Sequence, residues 1–278
     1  MLLDLTIAIP VRNEEKNIQG CLQAIGKHFA QNIVIIDSGS TDRTTVIAKE
    51  FGVEVINFIW NGHFPKKRNW YLQNHTPPTK WILFLDADEY LTTSFKIELQ
   101  EALSKEKKVG YWLNYTVYFM GKKLRGGYPL KKLALFRVGA GEYERIDEQQ
   151  WSNLDMEIHE HPILKGEIGF IRSKIDHQDF KGVSHYMNKH SEYAAWEAKR
   201  FIASYNMHKK QGWTWKQHIK YYLIQTVWIG PVFFLGSYFL LGGIRDGCRG
   251  LAFAILKMSY FNQVYCKIVE QKSCLKKQ

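Results

Sequence analysis

The sequence has few cysteines, and those it has form no recognisable framework. Cys21, Cys248, Cys266 and Cys274 are the four cysteines among 278 residues, and no two of them make a C-x-x-C pair. Their spacing matches neither a zinc site nor a disulfide scaffold, so we expect reduced thiols in a cytosolic compartment. The first residues lack a basic segment and a small-residue cleavage site, and we expect a first strand there rather than a signal peptide.

Several other patterns are missing as well. The chain has no internal repeat and no low-complexity segment, and its composition (45% hydrophobic, 23% charged) excludes a disordered, collagenous or coiled-coil protein. No G-x-G-x-x-G and no Walker lysine loop follows the first predicted strand. The absence of both motifs disfavours an NAD-binding domain and a P-loop enzyme.

Charge is present in excess and is unevenly distributed. The net charge is +11, and residues 211–278 hold nine of the 38 basic residues but only two of the 27 acidic ones. This basic, aromatic quarter indicates an anionic partner, either a membrane or a nucleic acid. Residues 221–244 carry no formal charge, which is long enough for a membrane span, but Pro231 and four glycines weaken that interpretation. Two short spans and helices lying in the membrane interface both stay open.

The first hundred residues predict an α/β fold. Short aliphatic runs at residues 5–9, 33–36, 53–56 and 81–85 are typical of buried strands, and amphipathic patterns at residues 14–29 and 94–103 are typical of helices. Strands that alternate with helices predict a parallel sheet with right-handed crossovers.

Polar clusters follow three of these strands, at residues 10–14, 37–39 and 86–88. Ligands bind beyond the carboxyl ends of the strands in such sheets, so we expect the clusters to converge at one edge. Asp86 and Asp88 could share Mg²⁺ or Mn²⁺, or else begin a helix. Asp37 could accept from a nucleotide hydroxyl or imide, or form an Asx-turn. Residues 66–68, Lys-Lys-Arg, could approach a diphosphate or form a solvated helix face.

Four segments resemble a known family: LTIAIPVRNEEKNIQGCL, IVIIDSGSTDRTTVIAKEFG, KKRNWYL and WILFLDADEYL. In this order and spacing they resemble family 2 glycosyltransferases of GT-A fold. The resemblance is strongest to the branch acting in lipopolysaccharide and lipooligosaccharide core assembly, typified by β-1,4-glucosyltransferases. It continues through LFR at 135–137, IHEH at 158–161 and residues 237–247, and so covers nearly the whole chain.

The resemblance implies a GT-A catalytic domain over residues 1–183 and a helical, membrane-associating region over residues 184–278. It also implies a UDP-sugar donor, a Mn²⁺ or Mg²⁺ ion and inversion at the anomeric carbon. Asp88 would bind the metal. The donor site would comprise Pro10, Arg12, Glu14, Asp37, Lys67, Arg68 and Asp86. Residues 62–66, Gly-His-Phe-Pro-Lys, depart from the usual Gly-Phe-Gly-type segment, which leaves the phosphate-side role of Lys66 and Lys67 open.

Inverting transfer also needs a base near the acceptor, which must be a carboxylate or a histidine. Glu160 is the first candidate and Glu157 and Asp155 are the reserves, with His159 or His161 orienting the carboxylate. A surface strand of mixed charge is the alternative for this cluster. His177 could complete the metal shell or be a structural histidine.

These patterns together predict an inverting glycosyltransferase on the cytoplasmic face of the bacterial inner membrane, peripheral or monotopic. It would transfer a hexose, with glucose expected, from UDP to a lipid-linked glycan. Anionic headgroups would meet Lys216, Lys220, Arg245, Arg249, Lys267 and Lys272.

Three alternatives stay open. The first is a capsule or exopolysaccharide glycosyltransferase that uses another UDP-sugar. The second is a nucleotidyltransferase, although residues 10–14 lack the glycine-rich loop expected of one. The third is a non-catalytic basic protein that binds membrane or nucleic acid, with nucleic acid the weaker partner.

Overall fold

The computed structural model describes residues 2–105, 107–145, 155, 161–206 and 215–275. The chain forms two compact units, Met1–Tyr118 with Leu130–Phe180, and Phe119–Pro129 with Lys181–Gln278. The sequence-based boundary at 183/184 lies close to the division at 180/181. Residues 119–129, which that boundary assigned to the catalytic domain, belong to the second unit.

The first unit contains a mixed β-sheet with the strand order β3-β2-β1-β4-β8-β6-β11-β5. In chain order the strands are β1 (Leu3–Val11), β2 (Ala30–Asp37), β3 (Glu54–Asn57), β4 (Trp81–Phe84), β5 (Glu89–Tyr90), β6 (Gly110–Phe119), β7 (Lys122–Lys123, outside this order), β8 (Lys131–Arg137), β9 (Gly141–Tyr143), β10 (Pro162–Leu164) and β11 (Ile168–His177). Strands β9 and β10 form a separate small antiparallel sheet.

The parallel arrangement holds for the first four strands of the chain, is interrupted at β8 and returns between β6 and β11. Strands β1, β2, β3 and β4 are parallel, as predicted. Strand β8, however, is antiparallel to both β4 and β6. A hairpin-type connection joins β6 to β8, and such a connection reverses the chain direction where a crossover helix would keep it.

Four helices cover the two faces of this sheet, namely α1 (Ile18–Ile25), α2 (Thr44–Glu50), α3 (Lys67–Asn74) and α4 (Thr93–Ser104). The side chain of Thr92 caps α4 by accepting from the Phe95 N–H at 3.2 Å. Helices α1, α2 and α4 contribute to the larger apolar core, and α3 packs its Tyr71 into a smaller one. Strands β1, β2 and β4 are therefore buried as predicted, whereas β3, at the edge of the sheet, is only partly buried, so the prediction of a buried strand at residues 53–56 is wrong.

The second unit is helical, with α5 (Val183–Asn206), α6 (Trp215–Leu223), α7 (Ile229–Leu235) and α8 (Gly247–Leu275). A π-helix at Gly236–Leu240 and a 3-10 turn at Gly243–Asp246 join α7 to α8. Its core is formed by Ala194, Phe201, Ile229, Val264 and Ile268 with their neighbours. Among the helices of the described ranges, none combines the length and the apolarity needed to cross a membrane.

Candidate active site

The three predicted polar clusters do meet at one edge of the sheet. Val11 and Asp37 are register partners at the carboxyl ends of β1 and β2. Strand β4 lies on the other side of β1, where the Leu85 N–H donates to the Ala8 carbonyl at 3.0 Å. Because parallel strands end together, the loops that follow them share one surface. The predicted convergence is confirmed.

The loop after β1 is tied to the loop after β2 by hydrogen bonds. Asn13 has a left-handed backbone (φ 56°), a conformation that asparagine tolerates better than most residues. Its N–H donates to the Ser40 hydroxyl at 2.9 Å, and its side-chain oxygen accepts from the Thr41 N–H at 2.8 Å. Pro10 is buried within β1, whereas Arg12 is exposed. Nucleotide contacts by Pro10, Arg12 and Glu14 stay predictions.

Asp37 ends β2 with its carboxylate turned into its own loop. Its oxygens accept from the Gly39 N–H at 3.1 Å, from the Ser40 N–H at 3.1 Å and from the Ser40 hydroxyl at 2.5 Å. The Asx-turn considered for Asp37 is therefore formed. An ionised carboxylate offers about four acceptor positions, so the turn does not by itself exclude the predicted nucleotide contact.

Residues 66–68 are buried, so a solvated helix face is the wrong interpretation. The Lys67 ammonium lies 3.0 Å from the Val11 carbonyl, 2.7 Å from the Ser38 hydroxyl and 3.1 Å from Asp155 Oδ2. Burial lowers the pKa of Lys67, and the Asp155 carboxylate opposes that shift. The Val11 carbonyl and the Ser38 hydroxyl accept two of the three ammonium N–H groups, and the Asp155 carboxylate is an ion-pair partner. A diphosphate contact by Lys67 stays a prediction.

The carboxylate of Asp86 is held between two cations. Arg68 Nη2 lies 2.7 Å from one carboxylate oxygen, and Lys132 Nζ lies 2.5 Å from the other. Lys132 also lies 2.5 Å from Glu89 Oε1, and the other Glu89 oxygen accepts from the Asp86 N–H at 3.1 Å. Two carboxylates and two cations thus form a network of balanced charge beneath the loop after β4.

The network fixes the ionisation of its members. Burial alone would raise the pKa of Asp86, but the charges of Lys132 and Arg68 outweigh burial, and the pKa of Asp86 lies well below its ordinary value. Burial raises the pKa of Glu89, with Lys132 opposing the shift. The pKa of Lys132 is raised well above its usual range, because the Asp86 and Glu89 charges outweigh its burial. Asp86 is therefore ionised at neutral pH.

Asp88 faces His177, which is remote in the sequence. Strands β5 and β11 pair antiparallel with His177 opposite Glu89, and the Gln178 N–H donates to the Asp88 carbonyl at 2.8 Å. His177 Nε2 lies 3.4 Å from Asp88 Oδ2. Burial lowers the pKa of His177, but the charge of Asp88, the hydrogen bond to Asp88 and the charge of Glu89 together outweigh burial, and the net shift is upward. The fold thus brings together the two residues that were predicted as metal ligands.

The donor atoms of this pair fit a divalent metal that shares its shell with a diphosphate. Mg²⁺ in nucleotide sites takes one or two carboxylates and obtains its remaining ligands from phosphate and water. Asp88 and His177 supply one oxygen and one nitrogen, while Asp86 is already engaged by Arg68 and Lys132. Within the described ranges, no group of three or more His, Cys, Asp or Glu side chains is arranged to hold a metal. A metal here would therefore need substrate oxygens.

Most of the residues predicted as the catalytic base lie outside the part of the chain that the structure describes. Glu157, His159 and Glu160 lie outside the described residues. The reserve candidate Asp155 is ion-paired with Lys67, which helps to lower the pKa of Asp155 against the effect of its burial. The His161 ring packs edge-on against the Trp112 ring, with 5.2 Å between the ring centroids. The assignment of the base stays a prediction.

Two members of the site were missed in the sequence. They are Lys132, which lies in β8, and Glu89, which lies in β5. The sequence does carry a local signal for Lys132, because this lysine directly precedes the apolar run LALF at residues 133–136. Its partner could not be inferred, since contact with Asp86 depends on the antiparallel pairing of β4 and β8.

The geometry is that of an edge-of-sheet site with acidic and basic residues suited to a charged ligand. Residues 6–159 match the sequence model of Glycosyl transferase family 2. The chain belongs to glycosyltransferase family 2. As a family 2 glycosyltransferase it catalyses glycosyl transfer, and the site just described lies largely within the matched region.

Two relatives that match over most of their own length are named as glycosyltransferases. The chain is 26% identical to the lipopolysaccharide core biosynthesis glycosyltransferase LpsC of Rhizobium meliloti, over 97% of this chain and 93% of that protein. It is 24% identical to an uncharacterised glycosyltransferase of Rickettsia typhi, over 84% of this chain and 77% of that protein. A TPR repeat-containing protein of Synechococcus elongatus is 30% identical over 110 residues, which are 40% of this chain but only 27% of that protein.

Solved structures give weaker matches. The structure of Staphylococcus aureus TarS 1–349 aligns over 97% of this chain and 92% of its own, with a TM-score of 0.45 and 14% identity. Glucosyl-3-phosphoglycerate synthase of Mycobacterium tuberculosis with Mn²⁺ and UDP-glucose aligns over 42% of this chain and 44% of its own, with a TM-score of 0.32 and 19% identity. Because both scores are below 0.5, the family assignment rests on the sequence match.

Proposed function

We propose that this glycosyltransferase transfers a hexose, most simply glucose, from a UDP-sugar to a lipid-linked glycan such as a lipopolysaccharide core, with inversion. The observation that carries the donor side is the meeting of Asp37, Arg68, Asp86 and Asp88 at one sheet edge, with His177 beside Asp88. The acceptor class is supported by the match to LpsC, which extends over nearly the full length of both chains.

Each residue has a distinct task in this proposal. Asp37 accepts from the uracil or ribose of the donor, and Arg68 with Lys132 keeps Asp86 ionised and fixed in place. Asp88 and His177 would hold Mn²⁺ or Mg²⁺, which when bound stabilises negative charge on the departing diphosphate. Glu160 takes the proton from the acceptor hydroxyl as UDP leaves.

The donor side is tested by thermal unfolding. We expect Mn²⁺ and UDP together to raise the melting temperature by more than the sum of their separate effects, and Asp88→Ala to abolish this synergy. Asp4→Ala is the matched control, because Asp4 lies at the amino end of β1 and bonds only to the Lys80 N–H among the contacts described for it. Wild-type protein that gains no stability from UDP with metal would refute the proposal.

The base is tested separately from donor binding. We expect Glu160→Gln to retain the UDP-dependent stabilisation but to lower turnover by at least about 100-fold, the lower end of general-base contributions. Glu157→Gln and Asp155→Asn serve as comparisons. Wild-type turnover in Glu160→Gln would move the assignment to one of these reserves.

Donor sugar and acceptor are tested together by UDP release from a panel of UDP-sugars, with bacterial membrane lipid extract as acceptor. A UDP-glucose preference with a lipopolysaccharide-core acceptor is expected. Preference for another sugar and for a polysaccharide acceptor would favour a capsule or exopolysaccharide enzyme. We place the reaction at the cytoplasmic face of the bacterial inner membrane, where nucleotide sugars and lipid-linked acceptors are both accessible.

A further inference from the structure

The segment from Trp228 to Leu241 is apolar on two opposite sides. One side packs inward, where the Phe233 ring stacks on Phe261 of α8 at 3.7 Å and Gly230 lies directly against Asn262. The other side carries Trp228, Val232, Leu235 and Phe239, which we call the apolar stripe. Their spacing of four, three and four residues places them on one face of the helix, and all four are exposed.

Beyond Phe239, the carboxyl end of the stripe continues into further exposed apolar residues. Leu240, at the last position of the π-helix, is 86% exposed, and Leu241 and Ile244 follow it on the surface. A surface helix normally presents its polar side to water, and this one has no charged residue to present. Contiguous exposed apolar surface of this kind marks a protein or membrane contact.

A basic hairpin lies at this same end of the stripe. Residues 119–129, which we call the hairpin, are held by the second unit: the Gly127 N–H donates to the Leu241 carbonyl at 2.9 Å. The Asp246 carboxylate accepts from the Arg125 N–H at 2.8 Å and from the Gly126 N–H at 2.9 Å. Lys122, Lys123 and Arg125 are exposed on the hairpin.

Two arginines complete the basic rim. Arg245 and Arg249 are exposed and flank Asp246 in sequence. The acidic residue between these two arginines is Asp246, and its carboxylate accepts hydrogen bonds from N–H groups of the hairpin. Two lysines expected to meet headgroups are engaged elsewhere, because Lys220 pairs with Glu197 at 2.7 Å and Lys272 bonds to Gln225 at 2.9 Å.

We propose that the apolar stripe and the basic hairpin form one docking face for an anionic phospholipid bilayer. The stripe, with Leu240 at its tip, enters the acyl–headgroup boundary, and Lys122, Lys123, Arg125, Arg245 and Arg249 contact the headgroup phosphates. An apolar helix face with cations at its border is the arrangement that interfacial membrane helices use. This inference rests on the proposed function, in which the acceptor is linked to lipid. A membrane-docking face holds the enzyme at the surface where such an acceptor lies.

Charge complementarity selects the bilayer over a second copy of the chain. A second copy would bring the same cations and no carboxylate to pair with them, because Asp246, the acid between Arg245 and Arg249, accepts from the hairpin N–H groups. An anionic leaflet instead attracts each basic residue near its surface. The bilayer can also take up Leu240 and the apolar stripe without a pocket of complementary shape.

The test is flotation of the full chain with vesicles of phosphatidylcholine alone and of phosphatidylcholine with phosphatidylglycerol at 3:1. We expect binding that requires phosphatidylglycerol and weakens with salt. The double variant Lys122→Gln/Lys123→Gln should lower the partition coefficient roughly 30-fold at low ionic strength. Its control is Lys105→Gln/Lys107→Gln, which removes the same charge from two exposed lysines of the first unit.

The apolar part of the face has its own matched pair. Leu240→Ser should lower partitioning by at least roughly tenfold, whereas Ile59→Ser, which alters a residue of the first unit that is also 86% exposed, should leave it unchanged. Both substitutions are at the surface, and equal melting temperatures verify that both variants fold.

Three results would overturn the proposal. One is wild-type binding that does not depend on phosphatidylglycerol. Another is a control variant whose partition coefficient falls as much as that of the test variant to which it is matched. The third is a concentration-dependent dimer that Leu240→Ser dissociates, with no vesicle binding by wild type. The flotation assay measures no catalysis, so its failure is separate from failure of UDP and metal to stabilise the protein.

Discussion

Replacing Lys132 with methionine would open the charge network beneath Asp86. Removing one partner from a buried ion pair costs about 3–5 kcal/mol, because the remaining charge is left without compensation. The Lys132 side chain is 28% exposed and that of Asp86 is 23% exposed, so we expect a smaller loss of about 2–4 kcal/mol at pH 7. For a chain of this size the loss corresponds to a melting temperature lowered by roughly 5–15 °C.

The size of this loss should depend on pH in a defined direction. Without Lys132, Glu89 loses the largest influence that lowers its pKa, so this pKa, already raised by burial, rises further. A group whose pKa is higher in the folded state binds more protons there, and stability then falls as pH rises through that pKa. Lys132→Met should therefore be most destabilised relative to wild type at pH 7–8 and less so at pH 5.

Thermal or urea unfolding at pH 5, 6, 7 and 8 measures both effects. Lys131→Met is the control, because Lys131 precedes Lys132 in β8 and is exposed; we expect it to stay within about 0.5 kcal/mol of wild type. Equal stability of the two variants, or a difference that does not change between pH 5 and pH 8, would refute the network as described.

Three further substitutions probe other parts of the chain. A Cβ on Gly126 would clash with the Gly242 carbonyl oxygen, so Gly126→Ala should lower the stability by about 1–3 kcal/mol. Gly236→Ala, whose Cβ meets nothing within 4 Å, should be neutral in the same melts. His177→Gln should reduce the stabilisation by Mn²⁺ with UDP without removing it, and an unchanged shift would exclude His177 from the metal shell. Lys67→Met removes an ammonium with three partners and should lower the melting temperature by at least roughly 5 °C.

The sequence predicted the features that local patterns determine. The aliphatic runs of β1, β2 and β4 are buried strands, and the turn residues after them converge because parallel strands end at one edge. The prediction was less complete where distant strands pair. Contact of Lys132 with Asp86 requires β8 to lie antiparallel to β4, and the approach of His177 to Asp88 requires the pairing of β11 with β5.

Two other features could not be read from local composition. The string Lys-Lys-Arg at 66–68 is strongly polar, yet all three residues are buried. Arg68 and Lys67 can be buried because Asp86 and Asp155 from other segments neutralise them. The hairpin at 119–129 looks like an ordinary connection between β6 and β8. Its place in the second unit follows from partners more than a hundred residues away, the Leu241 carbonyl and the Asp246 carboxylate.

The hairpin also determines where the chain can be cut. The polypeptide passes from one unit to the other at residues 118/119, 129/130 and 180/181, so no single cut yields two intact pieces. A shortened chain ending at residue 183 would keep the hairpin but lose Asp246, leaving the Arg125 and Gly126 N–H groups without their acceptor. To produce the first unit alone, residues 119–129 would have to be replaced by a short turn that joins Tyr118 to Leu130. The two ends belong to paired segments of the sheet, because Asn114 of β6 pairs with Lys131 of β8.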